Sequence, residues 1–250
     1  MQKFSTVPLS DYSILSCQLD ELKFDSKCVI NTVNQYSYVI AEKDKEFKDA
    51  LSNSDILLPD GVGIVAAVKF LNKQDIKKIA GADVHSYFLN KLNAVNGSCF
   101  YLGSSEVTLA KIKEKMSREF PNIRVGTYSP PFKSSFSKED TDKMVEVVNQ
   151  FRPDVLFVGM TAPKQEVWTH LNKDRLEVGA ICAIGAVFDF YAETISRPSK
   201  FWIDLGLEWF IRLVKEPRRM AKRYVVYGPA FVWMLLRSKL NQSLLKGAQA

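Results

Sequence analysis

A chain of 250 residues, 46% of them apolar, is long enough for one large α/β domain or a smaller domain with an appendage, and its composition excludes a disordered or fibrous protein. The net charge of +6 is unevenly spread: residues 197–250 carry eleven Lys or Arg against three acids, a net of +8, while residues 1–196 carry 23 bases and 25 acids, a net of −2. The basicity therefore belongs to the C-terminal segment alone, which points to a polyanionic partner there: an anionic membrane surface, a phosphorylated substrate or nucleic acid.

Met1 is followed by a polar, mixed segment with neither a basic n-region nor an apolar h-region, so no secretory leader is expected. Cys17, Cys28, Cys99 and Cys182 are widely spaced, form no C-x-x-C pair and mostly sit in apolar runs. That is the pattern of reduced thiols packed as small hydrophobes in a reducing cytosol.

From Lys27 onward, short β-rich runs alternate with helical patterns, the order of a parallel or mixed sheet flanked by helices. Strands are expected over 28–31, 56–58, 99–102, 123–128, 155–158 and 180–184. Residues 107–120 place Leu109, Ile112, Met116 and Phe120 at helical spacing, and 137–151 opens on an N-cap serine followed by acids. Several strands end in Gly or polar turns. In open α/β sheets ligands bind beyond the carboxyl ends of the strands, so these turns should line one site.

Asn31-Thr32-Val33-Asn34 ends the first of these strands, with Thr32 and Asn34 able to hydrogen-bond a hydroxyl or to cap the next helix. Asp60, in Leu58-Pro59-Asp60-Gly61-Val62-Gly63, stands between a strand and a helix start. A carboxylate at that position can accept a proton from a hydroxyl. The ordinary alternative is an N-cap aspartate in a Pro-Asp-Gly turn, and on this motif alone that alternative leads. Pro163-Lys164-Gln165-Glu166 opens a helix after a Gly-ended strand, with proline expected at its first position, and can hold an anion or a sugar. Asp189, soon after Gly185, can accept from a nucleobase or ribose or simply solvate its turn.

The sequence offers no metal site. His85 and His170 have no neighbouring ligand at zinc-like spacing, and Asp140-Thr141-Asp142 lies at a helix start rather than at the end of an apolar strand. No G-x-G-x-x-G follows the first strand, and Walker A and G-x-S-x-G patterns are absent. No cofactor is expected. If no divalent cation offsets a leaving diphosphate, bases must, and Arg218, Arg219, Lys222 and Arg223 are the richest supply.

After Arg197-Pro198 come Phe201-Trp202, Trp209-Phe210, that basic cluster, and an apolar run over 224–236. The run is too short to span a bilayer but suits its interface plane. The alternative is a final core helix with a solvated basic face. The expected division is an α/β core over 1–196 and a basic, aromatic appendage over 197–250.

Taken together, Asn31-Thr32-Val33-Asn34, Asp55 through Gly63, Gly81-Ala82-Asp83, Pro163-Lys164-Gln165-Glu166, Gly185-Ala186-Val187-Phe188-Asp189-Phe190, and Gly206-Leu207-Glu208-Trp209 followed by Glu216-Pro217-Arg218-Arg219 resemble the WecG/TagA/CpsF glycosyltransferases, glycosyltransferase family 26. The resemblance covers roughly residues 10 to 225. It implies a Rossmann-like core with a C-terminal helical appendage that docks on the membrane and completes the site. It also implies metal-independent, inverting transfer of a sugar, typically N-acetylmannosamine, its uronic acid or a hexose. The donor would be a UDP-sugar and the acceptor a polyprenyl-diphosphate-linked sugar on the cytoplasmic membrane face.

By motif, Asp60 matches the general base, with Thr32 and Asn34 beside it. Gln165 matches a donor-site residue and Asp189 a uridine contact. Lys78 and Asp83 fall in the substrate-side stretch, with Lys78-Ile79-Ala80-Gly81-Ala82-Asp83 where many members have an arginine first, and Ser129-Pro130-Pro131-Phe132 replaces Gly-Tyr-Phe. Arg218, Arg219 and Arg223 match the diphosphate-binding appendage. The competing class is a non-catalytic, membrane-bound nucleotide-binding module. A nucleic-acid partner is not expected, because the bases are interleaved with long apolar aromatics. The pattern does not specify an oligomeric state and is compatible with a homo-oligomer.

Overall fold

The computed structural model describes residues 4–22, 26–195, 202, 208–215, 217 and 221–247. Eight strands form a single sheet: β1 (Thr6–Leu9), β2 (Tyr12–Leu15), β3 (Cys28–Val33), β4 (Ile56–Pro59), β5 (Ser98–Gly103), β6 (Arg124–Tyr128), β7 (Val155–Gly159) and β8 (Ala180–Ala183). Their order is β1-β2-β4-β3-β8-β7-β5-β6. Only β1 and β2 pair antiparallel; every other pairing is parallel.

The central strands are nearly continuous apolar runs because helices cover both faces, as a parallel sheet requires. Alternate residues serve opposite sides. Cys28, Ile30, Tyr101 and Phe157 pack with α4 (Gly81–Ala94), α5 (Glu106–Glu119) and α8 (Val187–Tyr191). Val29, Leu102, Val158 and Ile181 pack with α6 (Lys138–Phe151) and α7 (Lys164–Asn172). A third cluster joins the β1–β2 hairpin to α1 (Gln35–Ala41), α2 (Lys45–Ser52) and α3 (Val62–Asn72).

All six expected strands are present within a residue or two of their expected ends. The helices expected over 107–120 and 137–151 are α5 and α6. Ser105 caps α5, accepting from the Thr108 N–H at 3.2 Å, and Ser137 and Asp140 form a reciprocal capping box on α6. The N-terminal hairpin was not anticipated. Its strands are four residues each, with Val7, Leu9, Tyr12 and Ile14 turned inward, and Pro8 is tolerated because β1 is the sheet's edge.

Toward the C-terminus lie a short helix, Glu208–Lys215, and a π-helical turn, Lys222–Val226, which runs into the helix Tyr227–Gly247. This last helix presents apolar side chains on two sides. Phe231 and Leu235 are buried in the α1–α3 cluster, with the Phe231 ring 5.3 Å from that of Tyr38 and Tyr227 edge-on to Tyr36 at 5.0 Å. Lys239 donates to the carbonyls of Phe70 and Leu71 at 3.2 and 3.1 Å, near the end of α3. On the other side Val232, Trp233, Leu236 and Leu240 are exposed. No helix among the described residues is long and apolar enough to cross a membrane. The four cysteines are unpaired, and Cys28, Cys99 and Cys182 are buried.

Candidate active site

A cleft opens at the carboxyl ends of the central strands, where β3 and β8 pair side by side. Asp60 reaches it from β4. The β3–β4 ladder runs through Val33 opposite Pro59, and the Asp60 N–H extends it by donating to the Val33 carbonyl at 2.9 Å. Gly61 then turns the chain at φ 100°, a left-handed conformation that favours glycine, and α3 starts at Val62. Gly61 thus occupies the N-cap position, and Asp60 precedes it. Two residues on, a Cβ on Gly63 would meet the Gln35 side chain at 2.1 Å, so α1 and α3 close together just behind the aspartate.

Thr32 and Asn34 line the same cleft from the end of β3. Asn34 caps α1: its Oδ1 accepts from the Ser37 N–H at 3.0 Å, and Ser37 Oγ accepts from the Asn34 N–H at 2.8 Å. The capping role read from the sequence holds, and it fixes Asn34 at the cleft wall.

The opposite wall is the start of α7. Pro163 sits at the N-cap, one position earlier than expected, and the helix begins at Lys164. Lys164 turns away, donating to the Lys133 carbonyl at 2.6 Å and lying 4.7 Å from the centre of the Phe136 ring. Gln165 is buried against the cleft, its Oε1 accepting from the Met160 N–H at 3.2 Å and its Nε2 donating to Glu166 Oε1 at 2.8 Å. Glu166 also lines the cleft, is only 2% exposed, and its Oε2 has no hydrogen-bond partner among the described residues. Burial pushes its carboxyl up to about 7, against the opposing pull of the Gln165 hydrogen bond and of a backbone N–H.

The sequence alone did not single out Glu166. The signal was present: Gln165, Glu166, Trp168, Thr169 and Asn172 are the buried residues of α7, and four of the five are polar. A polar stripe at helical spacing reads as solvent-facing until packing is known.

The third side is built from Gly185, Ala186 and Asp189 after β8, together with Tyr36 and Arg223. The Arg223 guanidinium lies 4.3 Å from the centre of the Tyr36 ring, a cation–π contact that brings the π-helical turn to the cleft. Tyr36 is a further cleft residue that sequence reasoning did not single out. Asp189 is half-buried and accepts from Thr194 Oγ1 at 3.5 Å through its carboxylate. It also borders an adjoining hollow lined by Ser129, Pro130, Phe132 and Lys164, which shares Ser104, Gly159 and Thr161 with the cleft.

Two expected substrate-side residues lie elsewhere. Asp83 is exposed and accepts from the Ala80 N–H at 2.8 Å, a side-chain bond from the first turn of α4 back to its N-cap. Lys78, half-buried in the segment before α4, is not among the cleft's lining residues. Arg218 and Arg219 lie outside the described residues.

His85 shares a 2.7 Å hydrogen bond with Tyr101 inside a cage completed by Phe157 and Tyr191, where burial drives its pKa down to about 3 and keeps it neutral. The Asp-x-Asp stretch is on the surface: Asp140 pairs with Lys133 at 2.7 Å and Asp142 with Arg175 at 2.5 Å. Among the described residues no group of three or more His, Cys, Asp or Glu could hold a metal ion.

The family model for the glycosyl transferase WecG/TagA/CpsF family matches residues 6–244. Among curated proteins, the chain is 29% identical over 214 residues to an N-acetylglucosaminyldiphosphoundecaprenol N-acetyl-beta-D-mannosaminyltransferase of Bacillus subtilis (strain 168), covering 86% of this chain and 81% of that protein. It is 27% identical over 197 residues to a protein of the same description from Bacillus spizizenii (strain ATCC 23059 / NRRL B-14472 / W23), covering 79% and 74%. The match runs through the core, the cleft and most of the C-terminal helix, and the chain belongs to the WecG/TagA/CpsF family of glycosyl transferases.

Proposed function

We propose that this enzyme transfers N-acetylmannosamine from a UDP-sugar to the GlcNAc of a polyprenyl-diphosphate acceptor, with inversion, in cell-surface polysaccharide or teichoic-acid-type synthesis. The observation that carries the reading is the single cleft that gathers Asp60, Thr32, Asn34, Gln165, Asp189 and Arg223 from five separate stretches of chain. The names of the two relatives supply the sugar and the acceptor.

Room for a nucleotide-sugar supports the same reading. The cleft encloses about 240 Å³ and the adjoining hollow about 510 Å³, and together they fall within the roughly 300–1,000 Å³ typical of sites for ligands of this size. Asp189 lines both, and in this reading it meets a ribose or base while the sugar faces Asp60.

In the transfer, Asp60 accepts the proton of the acceptor hydroxyl as that oxygen attacks the anomeric carbon. The bond from the anomeric carbon to the UDP oxygen breaks on the opposite side, and UDP leaves with the electron pair. Attack opposite the leaving group inverts the anomeric centre. Thr32 and Asn34 hold the sugar or the incoming hydroxyl, and Gln165 holds the donor. Arg223, with Arg218 and Arg219, offsets the charge growing on the departing diphosphate, where charge-assisted hydrogen bonds are worth most.

The C-terminal segment brings the enzyme to its acceptor. Exposed Val232, Trp233, Leu236 and Leu240 on the last helix, with the bases that precede it, suit an anionic bilayer surface on the cytoplasmic side.

A panel of UDP-sugars assayed with a short-chain polyprenyl-diphosphate-GlcNAc acceptor tests class, donor and acceptor together. The reading predicts transfer with UDP-N-acetylmannosamine ahead of its uronic acid and of UDP-hexoses. Faster transfer from a UDP-hexose would move the enzyme to capsule or exopolysaccharide synthesis. UDP binding with no transfer from any donor would make it a binding module.

A further inference from the structure

Glu166 has no part in the transfer as derived above, yet it is a carboxyl set in the cleft lining with one oxygen unpartnered among the described residues. Packing does not require it. A buried carboxyl with one oxygen unsatisfied is a standing cost that a Leu or Met of similar volume would avoid. Its one side-chain hydrogen bond goes to Gln165, its neighbour in the first turn of α7.

The Gln165 carboxamide is consequently held at both ends. The Met160 backbone N–H can only donate, so it selects the amide oxygen, at 3.2 Å. Glu166 Oε1 accepts at 2.8 Å and so selects the nitrogen. With the oxygen alone tied, the amide would still turn about its last torsion, which is broad for a terminal carboxamide. The second bond fixes its plane. One N–H of Nε2 is then engaged by Glu166 and the other is left for a ligand, beside the Gly185 turn, where a Cβ on that glycine would stand 3.3 Å from the nitrogen.

We propose that Glu166 is a positioning residue that locks the Gln165 carboxamide so that its remaining N–H faces the donor sugar-nucleotide, and that it acts on binding only through Gln165. The inference rests on the transferase reading of the cleft. Both protonation states of Glu166 keep an acceptor oxygen for Nε2, so the lock does not depend on its charge.

The test is a double-variant cycle in the full-length protein, comparing wild type, Gln165→Ala, Glu166→Ala and the double variant. UDP affinity is read by calorimetry, and KM for the UDP-sugar and kcat by transfer assay. Glu166→Ala is expected to weaken UDP binding and raise KM by about tenfold with kcat within about threefold, and the double variant to match Gln165→Ala within about twofold, because residues acting as one unit are not additive. Glu166→Gln, which keeps an acceptor oxygen, should stay within about threefold of wild type by the same reasoning.

Equal losses from Glu166→Ala with and without Gln165, or a Glu166→Gln protein as weak as Glu166→Ala, would overturn the proposal. If Glu166→Ala does not fold, Glu166→Met fills the volume without an acceptor oxygen of this kind and enters the same cycle. Intact coupling in UDP affinity without sugar transfer would sink the transferase reading alone, and transfer without coupling would sink the Glu166 proposal alone.

Discussion

The two walls of the cleft are built on different principles. The wall carrying Thr32, Asn34 and Asp60 is an extension of the sheet: strand pairing places Thr32, the backbone hydrogen bond from Asp60 to Val33 carries the ladder one step past β4, and Asn34 follows β3 directly as the cap of α1. The facing wall, at the start of α7, and the third side, reached by the returning C-terminal segment, are held by side chains, through the Met160–Gln165–Glu166 chain and the Arg223–Tyr36 contact. A backbone-anchored wall tolerates substitution of its side chains without moving, so loss of function there reports chemistry. On the side-chain-anchored wall, one substitution moves its neighbours, and losses are shared.

The largest effect should come from the anchored wall. Asp60→Asn should lower kcat by about a thousandfold, within the range of a lost general base, and leave the melting temperature within a degree or two because the strand that holds it is unchanged. Next should come the returning segment. Removal of residues after about Lys200 should abolish binding to anionic liposomes, and activity on membrane-held acceptor with it. Unchanged liposome binding would remove the membrane role assigned to that segment. Arg223→Ala should cost about tenfold to a hundredfold in kcat/KM, a loss that added salt does not reproduce in a protein that already lacks the arginine.

A smaller effect reads the second wall through stability. Glu166 titrates at about 7 in the folded protein against an ordinary 4.5, so the folded state retains a proton that the unfolded chain has released. The stability linked to that proton is complete below the ordinary value and is lost as pH rises through about 7. Glu166→Gln should therefore gain on wild type between pH 4.5 and 7 by on the order of 2–3 kcal/mol, measured by denaturant melts at both pH values. A difference independent of pH would show that Glu166 is ionised when folded.

The smallest effect belongs outside both walls. Asp83→Ala should cost about 1 kcal/mol through the lost cap on α4 and leave KM for the donor within about twofold. A tenfold rise in KM with unchanged stability would return Asp83 to the substrate side.

Much of this was legible in the sequence because it depends on local rules. The runs at 28–31 and 155–158 are largely apolar on both faces and bounded by turns, and the helical spacing over 107–120 and the cap serine Ser137 announce their helices. The position of Asp60 between strand and helix was equally plain, although Gly61, with its positive φ, takes the cap position that the sequence offered to the aspartate. What could not be read depends on distant packing. The β1–β2 hairpin is hidden by four-residue strands and Pro8. The buried polar stripe of α7 mimics a solvated face. The arrival of Arg223 at the cleft requires Tyr227 and Phe231 to pack on α1, a contact between residues nearly two hundred positions apart in the chain.

The central claim is that Asp60 acts on the proton and not on binding. Its most direct test is to measure UDP-sugar affinity and single-turnover transfer side by side for wild type and Asp60→Asn, with acceptor in excess. The account predicts affinity within about threefold of wild type and a transfer rate lower by about a thousandfold. Transfer at the wild-type rate, or a loss of affinity large enough to explain the whole loss of rate, would contradict it.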